Sequence, residues 1–99
     1  VIVEIYISTA VALKLSEKHG VTEFEVRQCF YNREGKFAYD TREEHKTNPP
    51  TLWFIAETDA GRCLKVVFQR YNSTEYVIKS AYEPNADEER LYQTYKQLR

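Results

Sequence analysis

Residues Thr51 to Tyr82, TLWFIAETDAGRCLKVVFQRYNSTEYVIKSAY, decide the fold. The stretch divides into three runs, Thr51 to Thr58, Arg62 to Arg70 and Glu75 to Tyr82, each rich in β-branched and aromatic residues that suit a pleated, half-buried surface. The separators Asp59-Ala60-Gly61 and Tyr71-Asn72-Ser73-Thr74 are short and contain turn formers, which leaves antiparallel hairpins as the way to join the runs. Period-two alternation then sorts the side chains. Arg62, Leu64, Val66, Phe68 and Arg70 share one face, and Cys63, Lys65, Val67 and Gln69 the other. In the last run Tyr76, Ile78, Ser80 and Tyr82 are expected on the core face, with Glu75, Val77, Lys79 and Ala81 opposite. Helices must cover the apolar face. Lys65 and Lys79 are therefore expected together on an open, partly polar face, which either receives an extended polyanion or simply meets water.

The flanking segments supply the helices. Val1 to Ile7 reads as a first strand. Ser8 or Thr9 can cap a helix on which Val11 and Leu15 sit four apart, and Gly20 falls where a left-handed C-terminal cap is needed. Thr22 and Glu25 form a capping-box pattern for a second helix with Val26, Cys29 and Phe30 on one stripe, fading near Asn32. Phe37 and Tyr39 alternate with polar neighbours in a short strand, and Asp40 to Pro50 reads as a polar loop. Pro84-Asn85 ahead of Glu88 repeats the capping pattern, and Leu91, Tyr95 and Leu98 give the closing helix its stripe. The expectation is an α+β fold, a small antiparallel sheet packed by helices in the order β-α-α-β-β-β-β-α, as one domain over residues 1–99.

Composition excludes several classes of function. At 99 residues there is no room for a second catalytic domain. The longest apolar run, Leu52 to Ala56, is too short to span a bilayer, and no basic segment followed by an apolar core opens the chain, so the cytoplasm is the expected compartment. Cys29 and Cys63 lack the spacing of a zinc site and read as reduced core thiols. The net charge is -1, yet residues 36–61 carry -2 and residues 62–82 carry +3. A basic surface remains available if Arg62, Lys65, Arg70 and Lys79 converge.

These segments resemble a known group. Lys18-His19-Gly20-Val21, then Gly61-Arg62-x-Leu64-x-Val66-Val67-Phe68, then Ile78-Lys79-Ser80-Ala81-Tyr82 ahead of an acidic helix with Glu89 and Tyr92, resemble the BrnT group of toxins in the RelE-like superfamily of small bacterial ribonucleases. The resemblance covers roughly residues 14 to 95. It implies a small helix-packed sheet, RNA cleavage without metal or cofactor, a substrate-binding role for Lys18 beside His19, and a cognate antitoxin or immunity protein as partner. The chain also resembles a narrower set of short bacterial proteins labelled as hydrolases of ADP-ribosyl groups, through Asp40-Thr41-Arg42-Glu43-x-His45-x-Thr47, Pro49-Pro50 and Trp53-Phe54-Ile55-Ala56-Glu57-Thr58. That likeness implies release of ADP-ribose from a modified arginine.

Metal-free RNA cleavage needs a base for the 2'-hydroxyl, a donor for the leaving oxygen, and cations for the charge developing on phosphorus. His19 and His45 are the residues whose ordinary titration range lies near neutrality. His45, in the polar loop beside Arg42 and Glu43, is the preferred acid or base, against the alternative of a solvated loop histidine. His19, taken alone, suits the free carbonyls of a helix end, and the resemblance adds a functional reading. Arg42, Lys65, Arg70 and Lys79 are candidates for holding phosphate, with Arg70 equally able to guard a strand edge. Trp53 and Tyr82 can stack a base or serve the core. Close-set Asp40, Glu43, Glu44 and His45 lack a recognisable cation-loop pattern, so no metal and no cofactor is expected. Two classes of function stay open. One is a ribonuclease toxin. The other is a non-catalytic RNA- or protein-binding module on the same fold, which the slightly acidic charge favours.

Overall fold

The computed structural model describes residues 2–41 and 47–97, the last two as backbone only. The chain runs β1 (Glu4–Tyr6), α1 (Thr9–Lys14), a π-helical turn (Leu15–His19), α2 (Glu23–Asn32), β2 (Ala38–Tyr39), β3 (Thr51–Glu57), β4 (Cys63–Asn72), β5 (Glu75–Tyr82) and α3 (Ala86–Gln97). The strands form a five-stranded sheet in the order β1-β5-β4-β3-β2. The meander from β2 to β5 is antiparallel, as the short separators require, while β1 joins the far edge parallel to β5 with Ile5 opposite Tyr76. The sheet is therefore mixed rather than wholly antiparallel. Two helices intervene between β1 and the meander, which gives the chain the length a parallel return needs.

Local signals end the helices where the sequence places them. The Val11 N–H donates to Ser8 Oγ at 3.1 Å. Thr22 and Glu25 exchange the reciprocal bonds of a capping box, Glu25 N–H to Thr22 Oγ1 at 3.2 Å and Thr22 N–H to Glu25 Oε1 at 3.0 Å. Asn85 and Glu88 do the same at the start of α3, at 2.8 and 3.0 Å.

Helix α1, the π turn and α2 cover one face of the sheet. There Leu15, Val26, Cys29, Phe54, Leu64, Val66, Phe68 and Ile78 are fully buried. At its centre Phe30, Phe37, Phe54, Phe68 and Tyr76 pack ring on ring, with centroids 4.7 Å apart for Phe30–Phe54 and 4.9 Å for Phe37–Phe68. Such edge-to-face pairs add roughly 0.5–1.5 kcal/mol beyond the area they bury.

The other face departs from expectation. It is not open, because α3 lies across it and seats Trp53, Tyr92 and Tyr95 against one another. The helix turns Tyr92 inward at 2% exposure and leaves Leu91 half in solvent at 51%, so the buried stripe is Tyr92 with Tyr95 rather than Leu91 with Tyr95; Leu98 lies outside the described residues. A second departure lies in β5. The register passes from Val67 opposite Ser80 to Phe68 opposite Ile78, leaving Lys79 as the extra residue of a β-bulge. The alternation inverts there. Ala81, opposite Val66, is fully buried in the core, and Tyr82, opposite Lys65, moves to the α3 face.

Candidate functional site

The π-helical turn sets one wall of the site. Single π turns insert a residue into a helix and re-aim its side chains, and they recur at functional sites. Gly20 closes this one in the left-handed region at φ 61° and ψ 34°, a conformation that carries no penalty only for glycine. The carbonyls freed at that end are taken by Arg62 of the β3–β4 connection, which donates to Gly20 O at 2.8 Å and His19 O at 3.0 Å. The same guanidinium pairs with Glu25 at 3.3 Å and Glu83 at 3.4 Å. Arg62 therefore does the capping that the sequence offers to the His19 side chain. The imidazole is left to face the Tyr82 ring, centroids 5.6 Å apart and planes tilted by 39°.

Tyr82 reaches this position because of the bulge at Lys79. Its hydroxyl donates to Glu88 Oε2 at 3.2 Å, and the same oxygen accepts from Lys65 Nζ at 2.7 Å. Lys65 is only 8% exposed. Its ammonium lies 4.5 Å from the Trp53 ring centre and 5.8 Å from that of Tyr82, within cation–π range of both. Burial pushes the Glu88 carboxyl up. The Lys65 bond and charge, the Asn85 backbone N–H and the Tyr82 hydroxyl outweigh that, and Glu88 titrates below the ordinary carboxylate range.

Imidazole, phenol, carboxylate and ammonium thus come from the π turn, β5, α3 and β4 to one end of the sheet. Beside them Tyr39, Asp40, Thr41, Leu91 and Tyr95 wall a cleft of about 210 Å³ floored by Trp53, Lys65 and Glu88. The arrangement can move a proton at His19, orient a hydroxyl at Tyr82, and set a cation against an anion at Lys65.

The remaining candidates are distributed differently. Arg42 and His45 lie outside the described residues; Thr41, which precedes Arg42, borders the cleft. Lys18 is exposed on the π turn. Lys79 is exposed at the bulge, where its carbonyl accepts from Lys14 Nζ at 3.2 Å, whereas Lys65 is buried under α3, so the two do not form one open face. Arg70 ends the core face, donating to the Tyr39 hydroxyl at 3.3 Å and, through its backbone N–H, to Pro50 O at 3.3 Å. Trp53, expected among the base-stacking candidates, is 6% exposed and enclosed by Lys65, Tyr92 and Tyr95. Glu88 was legible only as a capping residue. Its second role arises because the capping box holds its carboxylate in the first turn, over the sheet.

Burial lifts the Cys29 thiol to about 12 and, together with Glu89, the Cys63 thiol to about 11, so both are poor nucleophiles. Both are free thiols. Among the described residues no helix is long and apolar enough to cross a membrane. In comparison with known proteins, no family model and no curated sequence matches this chain.

Proposed function

We propose that this chain is a small RNA-cleaving domain of the BrnT and RelE-like kind, with its chemistry at the seam between the π turn and α3. The observation that carries the reading is the His19–Tyr82–Glu88–Lys65 chain, in which groups suited to proton transfer and phosphate binding meet although they are distant in sequence. In this scheme the 2'-hydroxyl of a ribose loses its proton to an imidazole and attacks the adjacent phosphorus. The 5'-oxygen leaves with a proton, and a 2',3'-cyclic phosphate remains. Lys65 exchanges its Glu88 partner for a phosphate oxygen as charge develops there. His45 and Arg42 are further candidates for proton transfer and phosphate contact. The setting is the bacterial cytoplasm, with an antitoxin or immunity protein as the restraining partner.

One observation favours a second reading. Lys65 already holds a carboxylate at 2.7 Å, which neutralises the cation that phosphate needs and suits a binding module without catalysis. The experiment is incubation of the purified chain with mixed single-stranded RNA in EDTA, alongside His19→Ala and His45→Ala, with folding checked by circular dichroism. Cleavage to cyclic-phosphate ends that falls at least about 100-fold in His19→Ala supports the site. Loss in His45→Ala alone moves proton transfer out of the seam. Intact RNA with folded protein overturns the ribonuclease reading in favour of the binding module.

A further inference from the structure

The far end of the sheet carries a second concavity that the chemistry above does not use. Strand β2 reaches along β3 only as far as Trp53, while β3 continues to Glu57. Among the described residues no strand lies beside the outer edge of Ile55 to Glu57. On that edge the Thr51 carbonyl accepts the Asp40 N–H at 3.0 Å, and with period-two alternation Ile55 and Glu57 present their backbone groups the same way. Half of these groups are held internally. The Tyr92 hydroxyl, which donates to Lys36 O at 2.8 Å, lies against the Ile55 backbone, and the Glu57 carbonyl accepts Asn32 Nδ2 at 3.0 Å. By the same alternation the Ile55 carbonyl and the Glu57 N–H face this edge, flanking Ala56. That is the pair of groups that one residue of an added parallel strand bonds, donating to the first and accepting from the second.

The edge opens into a groove of about 480 Å³ between the end of α2, β3 and α3. Glu34, Glu57, Asp59 and Glu89 line it, and among the described residues no Lys, Arg or His does. A polyanion is repelled by such a lining. So is the same edge of a second copy, since it brings a matching set of carboxylates. An extended chain bearing Lys or Arg meets both features at once, the free backbone pair and the negative field.

We propose that this groove docks an extended, basic segment of a partner protein, which lies beside Ala56 as an added parallel strand. The proposal stands independently of RNA cleavage. It is tested by titrating a short alternating Lys-Val peptide into the isotopically labelled chain and following its amide signals. Shifts confined to Ile55 through Asp59 and Glu89, with slowed exchange of the Glu57 amide, are expected. Affinity should fall about tenfold or more when the exposed Glu57 and Glu89 are changed together to Lys. A peptide N-methylated at its central residue keeps its charge and should also bind more weakly. Equal binding of a Glu-Val peptide, indifference to N-methylation or to the double substitution, shifts elsewhere on the molecule, or no shifts at all each overturn the proposal.

Discussion

The two faces of the sheet are built on different physics. The face under α1, the π turn and α2 is closed by aliphatic and aromatic side chains with few polar groups among them, and its central rings touch at 4.7 to 6.2 Å. The face under α3 mixes rings with ions. Trp53, Tyr92 and Tyr95 pack beside a Lys65–Glu88 pair, and Tyr82 and His19 extend that polar line to the rim. The first face supplies non-directional stability. The second supplies directed bonds whose partners can be exchanged, which is what a binding or catalytic surface needs. Fold and candidate site are therefore carried by opposite sides of the same strands.

The largest test of that contrast is Phe68→Ala. Phe68 is fully buried and touches Phe30, Phe37 and Tyr76, so its truncation should cost about 3–5 kcal/mol in urea unfolding. A loss below about 1 kcal/mol breaks the claim that this face carries the fold. A smaller effect is expected from Asn85→Ala, which removes the N-terminal cap of α3. It should cost about 1 kcal/mol, fraying α3 while the first face stays closed, as read by amide exchange along the chain. Uniform loss of protection across both faces contradicts the separation. The smallest effect is that of pH. Glu88 titrates below its ordinary value of 4.5, so its stabilising contribution is fully present above that value and is lost as pH falls through its lower, folded value. Stability should decline from about pH 4.5 downward, and Glu88→Gln should flatten that decline. An unchanged acid slope in Glu88→Gln removes the pair from the account of the second face.

Much of the first face is legible in the sequence alone. Period-two runs in β3 and β4, the Thr22–Glu25 capping box and Gly20 as a left-handed cap are short-range signals, and each forms with residues a few positions apart. The second face departs from the sequence pattern at three points. Alternation through β5 assumes an unbroken ladder, and the bulge at Lys79 exchanged the positions of Ala81 and Tyr82. The coverage of this face by α3 is equally hidden, because nothing local shows that α3 folds back across it. The buried stripe of α3 takes Tyr92 where the spacing of apolar residues offers Leu91.

The candidate site divides along the same line. His19, Lys65 and Tyr82 were singled out from their residue types and neighbours, but as members of unrelated surfaces. Arg62 capping the His19–Gly20 corner and Glu88 joining Lys65 to Tyr82 belong to contacts 42, 43, 23 and 6 residues long, and spacing alone selects none of them.

By itself, then, the sequence determined the element order, the helix caps, the hairpins and the apolar face of β4, because those follow from backbone propensity and hydrophobic period over a few residues. Tertiary structure alone decided which face Tyr82 occupies, that α3 covers Lys65, and that an imidazole, a phenol and a carboxylate share one seam. Such matters depend on register, where a single extra residue inverts a strand, and on long-range docking that no local pattern encodes.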